Sequence, residues 1–106
     1  MLNIEQVIHE FVAGLGPMII ALERKNRGLA DQLDRASSSI LLNTAEGRYS
    51  QKANKPARYF IALGSAGESR ACLQLARARY GIDVSAQQWD QLDHVIAVLW
   101  KLTRKK

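Results

Sequence analysis

Six polar residues in the middle of the chain have the types and spacing to form a chemically active cluster. They are Arg35, Ser39, Asn43, Glu46, Ser65 and Glu68. The first four recur at intervals of three and four residues, so on a helix they fall within roughly one quadrant, at the border of an apolar stripe. Two carboxylates facing an arginine can act as a general acid and base, because Glu46 and Glu68 would perturb each other's pKa if they were close.

The same six residues also fit a structural role. A carboxylate near the core side of a helix needs a partner, because an unpaired buried charge costs several kcal/mol. The sequence shows no second polar cluster that would hold a substrate. We therefore interpret the set as a polar network between two helices, which fixes their register or shapes a subunit contact, and we predict no catalytic residue.

Other catalytic and metal-binding motifs are missing from the sequence. There is no glycine-rich phosphate loop, no C-x-x-C pair and no H-E-x-x-H. His9 and His94 lack the Glu-x-x-His spacing of di-iron bundles, and their neighbours Glu5 and Asp90 belong to polar helix faces. Cys72 is the single cysteine, and near the inner face of a helix it behaves as a small apolar residue. The sequence predicts a protein without enzymatic activity, metal or cofactor.

Four helical segments must position the polar residues. Apolar residues spaced three and four apart predict each helix. Gly28 fits a cap at the end of the first helix, Gly81 ends the third, and Ser85 with Gln88 forms a capping box that opens the fourth. Short loops between helices favour an all-α fold, an antiparallel up-and-down four-helix bundle in one domain. The predicted helices span residues 4–24, 29–47, 55–80 and about 86–102 of the single domain 1–106.

The second and third helices carry apolar residues on two faces. On the third helix we assign Phe60 and Leu75 to the core and the opposite stripe to the outside. A monomeric bundle needs one apolar face per helix, so a second face predicts a subunit interface, the alternative being scattered apolar residues on the surface. The candidate interface residues are Leu41, Leu42, Ala62, Ala66, Leu73 and Tyr80.

The chain is basic, with a net charge of +5 and a sequence pI near 9.7. This balance suits an anionic partner such as RNA or DNA. Tyr49 and Tyr59 lie among basic residues of the second turn and can stack on unpaired bases. The candidate nucleic-acid-binding residues are Arg48, Tyr49, Lys52, Lys55, Arg58, Arg70, Arg77, Lys101 and Arg104, with Lys105 and Lys106 in the same tail.

The string QLDRASSSILLNTAEG, followed by ARYFIALGSAGE, resembles the signature of 23S rRNA intervening-sequence proteins. Diversity-generating retroelement accessory proteins are more distant relatives of that family. The first half matches Q-L-x-R-A-x-x-S-I-x-x-N-x-A-E-G from Gln32 to Gly47. Asp34 departs from the second arginine that often precedes Arg35, which lowers the basic character of the second helix. The matches in the second half are Phe60, Gly64, Ser65 and Glu68.

The resemblance implies a small four-helix bundle that assembles as a homopentamer. Combined with the basic charge, it predicts a non-enzymatic protein that binds RNA or DNA. The alternative is a protein scaffold or accessory subunit for a nucleic-acid enzyme such as a reverse transcriptase, without direct nucleic-acid contact. The start of the chain lacks the charged and apolar regions of a signal peptide, and runs such as VIAVLW are too short to span a bilayer. We therefore expect a cytoplasmic protein with no membrane partner.

Overall fold

The described residues form four helices, in the predicted order and close to the predicted bounds. The computed structural model describes residues 3–51 and 54–104, so Lys52, a predicted nucleic-acid contact, lies outside the described residues. The helices are α1 (Ile4–Glu23), α2 (Arg27–Tyr49), α3 (Lys55–Tyr80) and α4 (Ala86–Arg104).

Local capping signals set most of the helix ends. The Asn26 side chain accepts a hydrogen bond from the Leu29 amide at 2.9 Å and starts α2. Gly81 has φ +66°, a left-handed conformation that glycine adopts without strain, and it ends α3 as predicted. The Gln88 amide donates to Ser85 Oγ at 3.1 Å and Gln88 Oε1 accepts from the Ser85 amide, which confirms the capping box.

The predicted cap at Gly28 is wrong. α1 ends at Arg24, whose φ of −70° is right-handed, and Gly28 lies inside the first turn of α2. Asn26 explains the difference, because its side chain begins a new helix before the first one needs a glycine to terminate it.

Helix contacts define an up-and-down bundle. α1 packs on α2, α2 on α3, α3 on α4, and α4 on α1. α1 and α3 therefore occupy opposite corners, and their outer faces point in opposite directions. The all-α fold and the four-helix architecture are confirmed.

The core runs along the centre of the bundle and receives large side chains from every helix. α1 contributes the most volume, and the contribution of α3 is mainly Leu73 among smaller residues. The largest fully buried apolar side chains are Ile8, Phe11, Leu15, Leu22, Leu33, Ile40, Leu73, Leu92, Val95 and Leu99.

α1 is the most apolar helix. Over 18 residues its mean hydropathy is 1.2, so by length and composition alone it is long and apolar enough to cross a membrane. Ile8, Phe11 and Leu15 are fully buried against the other helices, although only 22% of that window is buried. One face of α1 therefore belongs to the core of the bundle.

The two faces of α3 are the reverse of those predicted. Ala62, Ala66 and Leu73, which we assigned to a subunit interface, are fully buried within the single chain. Phe60 and Leu75, which we assigned to the core, are exposed. The physical reason is packing distance: small side chains let α3 approach α2 closely, and the larger residues are left outside.

The remaining interface candidates divide between the surface and the core. Leu42 is 62% exposed and fits the predicted outer face. Leu41 and Tyr80 are partly buried and pack against the core. Tyr80 is also held by its own chain, because its hydroxyl accepts a 2.9 Å hydrogen bond from the Asn26 side chain.

Candidate nucleic-acid interface

A polar network links α2 to α3, but its members differ from those predicted. The Ser65 hydroxyl donates to Ser39 Oγ at 2.7 Å, and the Asn43 amide donates to the same Ser39 oxygen at 2.9 Å. Arg58 completes the network, with Nη1 3.4 Å from Asn43 Oδ1 and 3.0 Å from Glu46 Oε2. Arg58 therefore takes the position that we had given to Arg35.

The two carboxylates of the predicted cluster are separate and exposed. Glu46 pairs with Arg58, whereas Glu68 accepts a 3.2 Å hydrogen bond from Gln32. Glu68 follows Arg58 by ten residues, which is about 15 Å along a helix. Arg35 is exposed on α2 and takes part in neither contact. The geometry does not support an acid–base pair at Glu46 and Glu68.

The C-terminus of α2 meets the N-terminus of α1 through an ion pair. Arg48 Nη1 lies 2.6 Å from Glu5 Oε2, and this hydrogen bond raises the pKa of the Arg48 guanidinium above its ordinary value. The same guanidinium lies 5.2 Å from the centroid of the Tyr49 ring, within cation–π range. Tyr49 itself is 79% exposed, so its ring remains available to a ligand.

The C-terminus of α4 carries a second pairing of an arginine with an aromatic ring. The Arg104 guanidinium lies 3.5 Å from the centroid of Trp100. Trp100 is 52% exposed, and Lys101 beside it is also exposed. A positive charge and an aromatic surface are thus presented together, as in proteins that stack single-stranded bases.

These two groups share one end of the bundle. Arg70 on α3 forms an ion pair with Asp93 on α4, which sets the relative level of the antiparallel helices. Arg58 precedes Arg70 by 12 residues and Arg104 follows Asp93 by 11. Both therefore lie about 17 Å from that pair in the same direction. We call this the aromatic end, and its described members are Arg48, Tyr49, Lys55, Arg58, Phe60, Trp100, Lys101 and Arg104.

Positive charge is concentrated in the sequence of the aromatic end. Residues 46–58 and 101–106 contain eight of the 15 lysines and arginines but one of the ten aspartates and glutamates. The rest of the chain carries seven cations against nine carboxylates. The excess positive charge of the protein thus belongs to these two segments.

Tyr59 does not share the exposure of Tyr49. A Cβ added to the buried Gly47 would lie 2.6 Å from Tyr59 Cε1, so the ring packs directly over the glycine. Tyr59 is half-buried and packs against the core. It supports the end of α2, and it does not present a free face for stacking as we had expected.

Arg70 and Arg77 lie apart from the aromatic end. With Gln74 they form one stripe of α3 at intervals of four and three residues, and this stripe faces Trp89 on α4. The Arg70 guanidinium is 5.8 Å from the centroid of Trp89. The predicted basic surface is therefore two surfaces, one at the aromatic end and one on the flank between α3 and α4.

Sequence reasoning missed Trp100 and Phe60 as surface residues. We had placed Phe60 in the core, but it is 51% exposed, and Trp100, which is 52% exposed, was not among the candidate residues. The signal for Trp100 was its spacing of four residues from Arg104, which brings the two side chains together on a helix. No such pattern marks Phe60.

Cys72 is buried, and burial raises the pKa of its thiol above the usual value, with the nearby Glu68 carboxylate adding to the effect. Within residues 3–51 and 54–104, no three His, Cys, Asp or Glu side chains come together as a metal site.

Comparison with known proteins identifies relatives of the whole bundle. Residues 2–102 match the profile of the family described as 23S rRNA-intervening sequence protein. The fold is similar to a crystal structure of a protein of unknown function from the S23 ribosomal protein family of Bacteroides thetaiotaomicron. That likeness has a TM-score of 0.80 at 20% sequence identity and covers 97% of this chain and 100% of the other. No curated protein matches the chain.

Proposed function

The chain belongs to the 23S rRNA-intervening sequence protein family, and we propose that it is a cytoplasmic, non-enzymatic homo-oligomer that binds single-stranded nucleic acid. The aromatic end is the proposed binding surface. The observation that carries the proposal is the placement of five described cations and three exposed aromatic rings, Tyr49, Phe60 and Trp100, at one end of the bundle.

The ion pairs at the aromatic end leave its arginines open to a phosphate. The side chains of Arg48 and Arg58 are 58% and 44% exposed, and exposed ion pairs contribute little to stability. A phosphate oxygen can therefore replace Glu46, whose side chain is 57% exposed, at small cost. Glu5 is only 20% exposed and keeps its pair with Arg48, so a phosphate would bind the exposed part of the Arg48 guanidinium beside that pair. Backbone phosphates then supply affinity, and the exposed rings stack on unpaired bases.

Single strands fit this surface better than duplexes. Bases in a duplex are stacked on one another and offer no face to Tyr49 or Trp100, whereas an unpaired base does. The proposal covers RNA and DNA, because both present phosphates and unpaired bases.

Fluorescence anisotropy tests the proposal directly. Labelled single-stranded RNA, single-stranded DNA and duplex DNA of equal length are titrated with protein at several salt concentrations. We expect the single strands to bind more tightly than the duplex, with log affinity falling linearly against log salt. The triple variant Arg48→Gln, Lys55→Gln, Arg58→Gln is expected to weaken binding by roughly tenfold or more and to lower the salt slope by about one per lost contact.

A matched control removes the same charge from the opposite end. Arg24→Gln, Lys25→Gln, Arg27→Gln neutralises three cations in the turn between α1 and α2. Equal weakening by both triple variants would show that only the net charge matters. Absence of binding at low salt would reject the proposal and favour the scaffold alternative, in which the protein contacts another protein and no nucleic acid.

Assembly into a ring, a pentamer by resemblance, is the second part of the proposal. Two apolar surfaces lie on opposite sides of the bundle: Ile20 with Pro17 on the outer face of α1, and Ile61 with Leu75 on the outer face of α3. Contact between two different surfaces of neighbouring subunits generates a closed ring when the rotation closes. Gly64 and Gly67 on the α3 face have nothing within 4 Å of an added Cβ, which leaves room for a neighbouring helix.

Native mass spectrometry tests the assembly. In a head-to-tail ring, Ile20→Glu alone or Ile61→Glu alone is expected to lower the oligomer mass, because each contact needs both surfaces. Gln87→Glu on the exposed side of α4 is the control and is expected to leave the mass unchanged. A wild-type protein that is monomeric at micromolar concentration would contradict the ring.

A further inference from the structure

The flank between α3 and α4 carries a groove that the proposed function does not use. It has a volume of about 420 Å³ and is lined by Gln74, Arg77 and Ala78 from α3 and Trp89 from α4. An adjoining hollow of about 260 Å³ shares three of these residues and adds Arg70. Both hollows are open to solvent along the flank.

Three kinds of group converge on this groove. Trp89 supplies an aromatic surface, Arg70 and Arg77 supply two guanidinium groups, and Gln74 lies between them on α3 with an amide that can both donate and accept. The residues on α3 are spaced by four and three, so they line one face of the helix. An aromatic ring beside two cations and an amide matches a ligand that has a flat base and an anionic group.

The charges of the groove favour an anion. Arg70 is paired with Asp93, but the two side chains are 41% and 57% exposed, so a stronger anion can replace the carboxylate. Arg77 lies two turns further along the same face of α3 and is exposed. Trp89 lies one turn from the N-terminus of α4, whose partial positive charge also attracts anions.

We infer that this groove binds one nucleotide, with its base against Trp89 and its phosphate held by Arg77 and Arg70. The nucleotide comes either free from solution or as one unit of a bound strand, because both present the same base and phosphate. This inference goes beyond the proposed function, since the groove lies on the flank of the bundle and shares no residue with the aromatic end.

Tryptophan fluorescence tests the inference, because Trp89 and Trp100 are the two tryptophans of the chain. In a Trp100→Phe background, Trp89 is the single reporter. Adenosine monophosphate is expected to quench its emission in a saturable way, whereas adenosine and inorganic phosphate, which each lack one half of the ligand, bind more weakly. Arg77→Gln is expected to weaken the binding of the monophosphate by about tenfold, which corresponds to the loss of one charge-assisted hydrogen bond. Arg35→Gln removes an equally exposed arginine from α2 and is expected to have no effect.

A second titration, with an oligonucleotide of ten adenosines, separates the two sources. Saturable quenching by the monophosphate assigns the groove to free nucleotides, and saturable quenching by the oligonucleotide alone assigns it to a strand. Quenching by neither ligand, or equal weakening by Arg77→Gln and Arg35→Gln, overturns the inference. The monophosphate titration is repeated with the triple variant Arg48→Gln, Lys55→Gln, Arg58→Gln. The monophosphate is expected to quench Trp89 normally in that variant, which separates the groove from the aromatic end.

Discussion

The two ends of the bundle differ in the exposure of their aromatic side chains and in their charge. At the end formed by the turns between α1 and α2 and between α3 and α4, which we call the capped end, side chains satisfy the backbone. Asn26 caps α2 and binds Tyr80, and Gln88 caps α4 while donating to the Gly14 carbonyl at 3.0 Å. The aromatic end also has a cap, the capping box of Asn3 and Gln6 that begins α1, but there Tyr49 and Trp100 are exposed.

The two ends also differ in charge. Cations at the capped end are interspersed with carboxylates such as Glu23, Asp31 and Asp83, whereas the described residues of the aromatic end include five cations, two of which pair with Glu5 and Glu46. Under the proposed function, the aromatic end is the surface that meets a partner, and the capped end contributes mainly to the stability of the fold. Four tests, which use six substitutions, examine this difference between the ends.

Replacing glycines at the two ends gives the largest expected contrast. Gly47→Ala places a Cβ 2.6 Å from the Tyr59 ring, so we expect a loss of about 1–3 kcal/mol in unfolding free energy from overpacking. Gly28→Ala at the capped end meets Asn26 Oδ1 at 3.5 Å, an ordinary contact, and should stabilise α2 by roughly 0.5–1 kcal/mol. Urea unfolding measures both. If Gly28→Ala destabilised the protein, the result would support the interpretation of Gly28 as a helix cap, which the structure contradicts.

The helix caps give the next contrast. Asn26→Ala removes the cap of α2 and the hydrogen bond to Tyr80. We expect it to lower the unfolding free energy by about 1–2 kcal/mol. Asn54 stands at the same position before α3, but its side chain makes no capping hydrogen bond. Asn54→Ala should therefore change the unfolding free energy by less than about 0.5 kcal/mol. Equal losses in the two variants would remove the distinction between the ends.

Cys72, in the middle of the bundle, gives a smaller, pH-dependent effect. Burial raises the pKa of its thiol in the folded state, so the folded protein holds the proton more tightly than the unfolded chain. Its contribution to stability is complete below the ordinary thiol pKa of about 8.5 and is lost as the pH rises above it. Between pH 7.5 and 9.5, the unfolding free energy of the wild type should fall more than that of Cys72→Ala. Parallel pH profiles would show that the thiol is accessible to solvent.

The smallest expected effect on stability is at the aromatic end. Tyr49 is so exposed that Tyr49→Ser should change the unfolding free energy by less than about 0.5 kcal/mol. The same variant should weaken the binding of single-stranded RNA by about tenfold, which corresponds to the loss of one stacked base. Thermal unfolding and anisotropy on the same sample compare the two effects. A loss of stability without a loss of binding would assign Tyr49 to the fold.

The polar network shows where reasoning from sequence stopped. Spacing on α2 correctly grouped Ser39 and Asn43, and the structure joins them to Ser65. Arg58 was predicted only as a nucleic-acid contact, and its pairing with Glu46 was missed because that pairing depends on the register between α2 and α3. The spacing of residues along one helix does not determine the register between two helices.

The four helices, their order and most of their ends could be predicted from the sequence, because helix periodicity, caps and breakers act over a few residues. The concentration of charge in two segments is also visible there. Which face of α3 is inside became clear from the packing of the helices. Both faces of that helix are apolar, and the choice depends on how closely its small residues let it approach α2. The same packing exposed Phe60 and brought Trp89 opposite Arg77, contacts that no local pattern encodes.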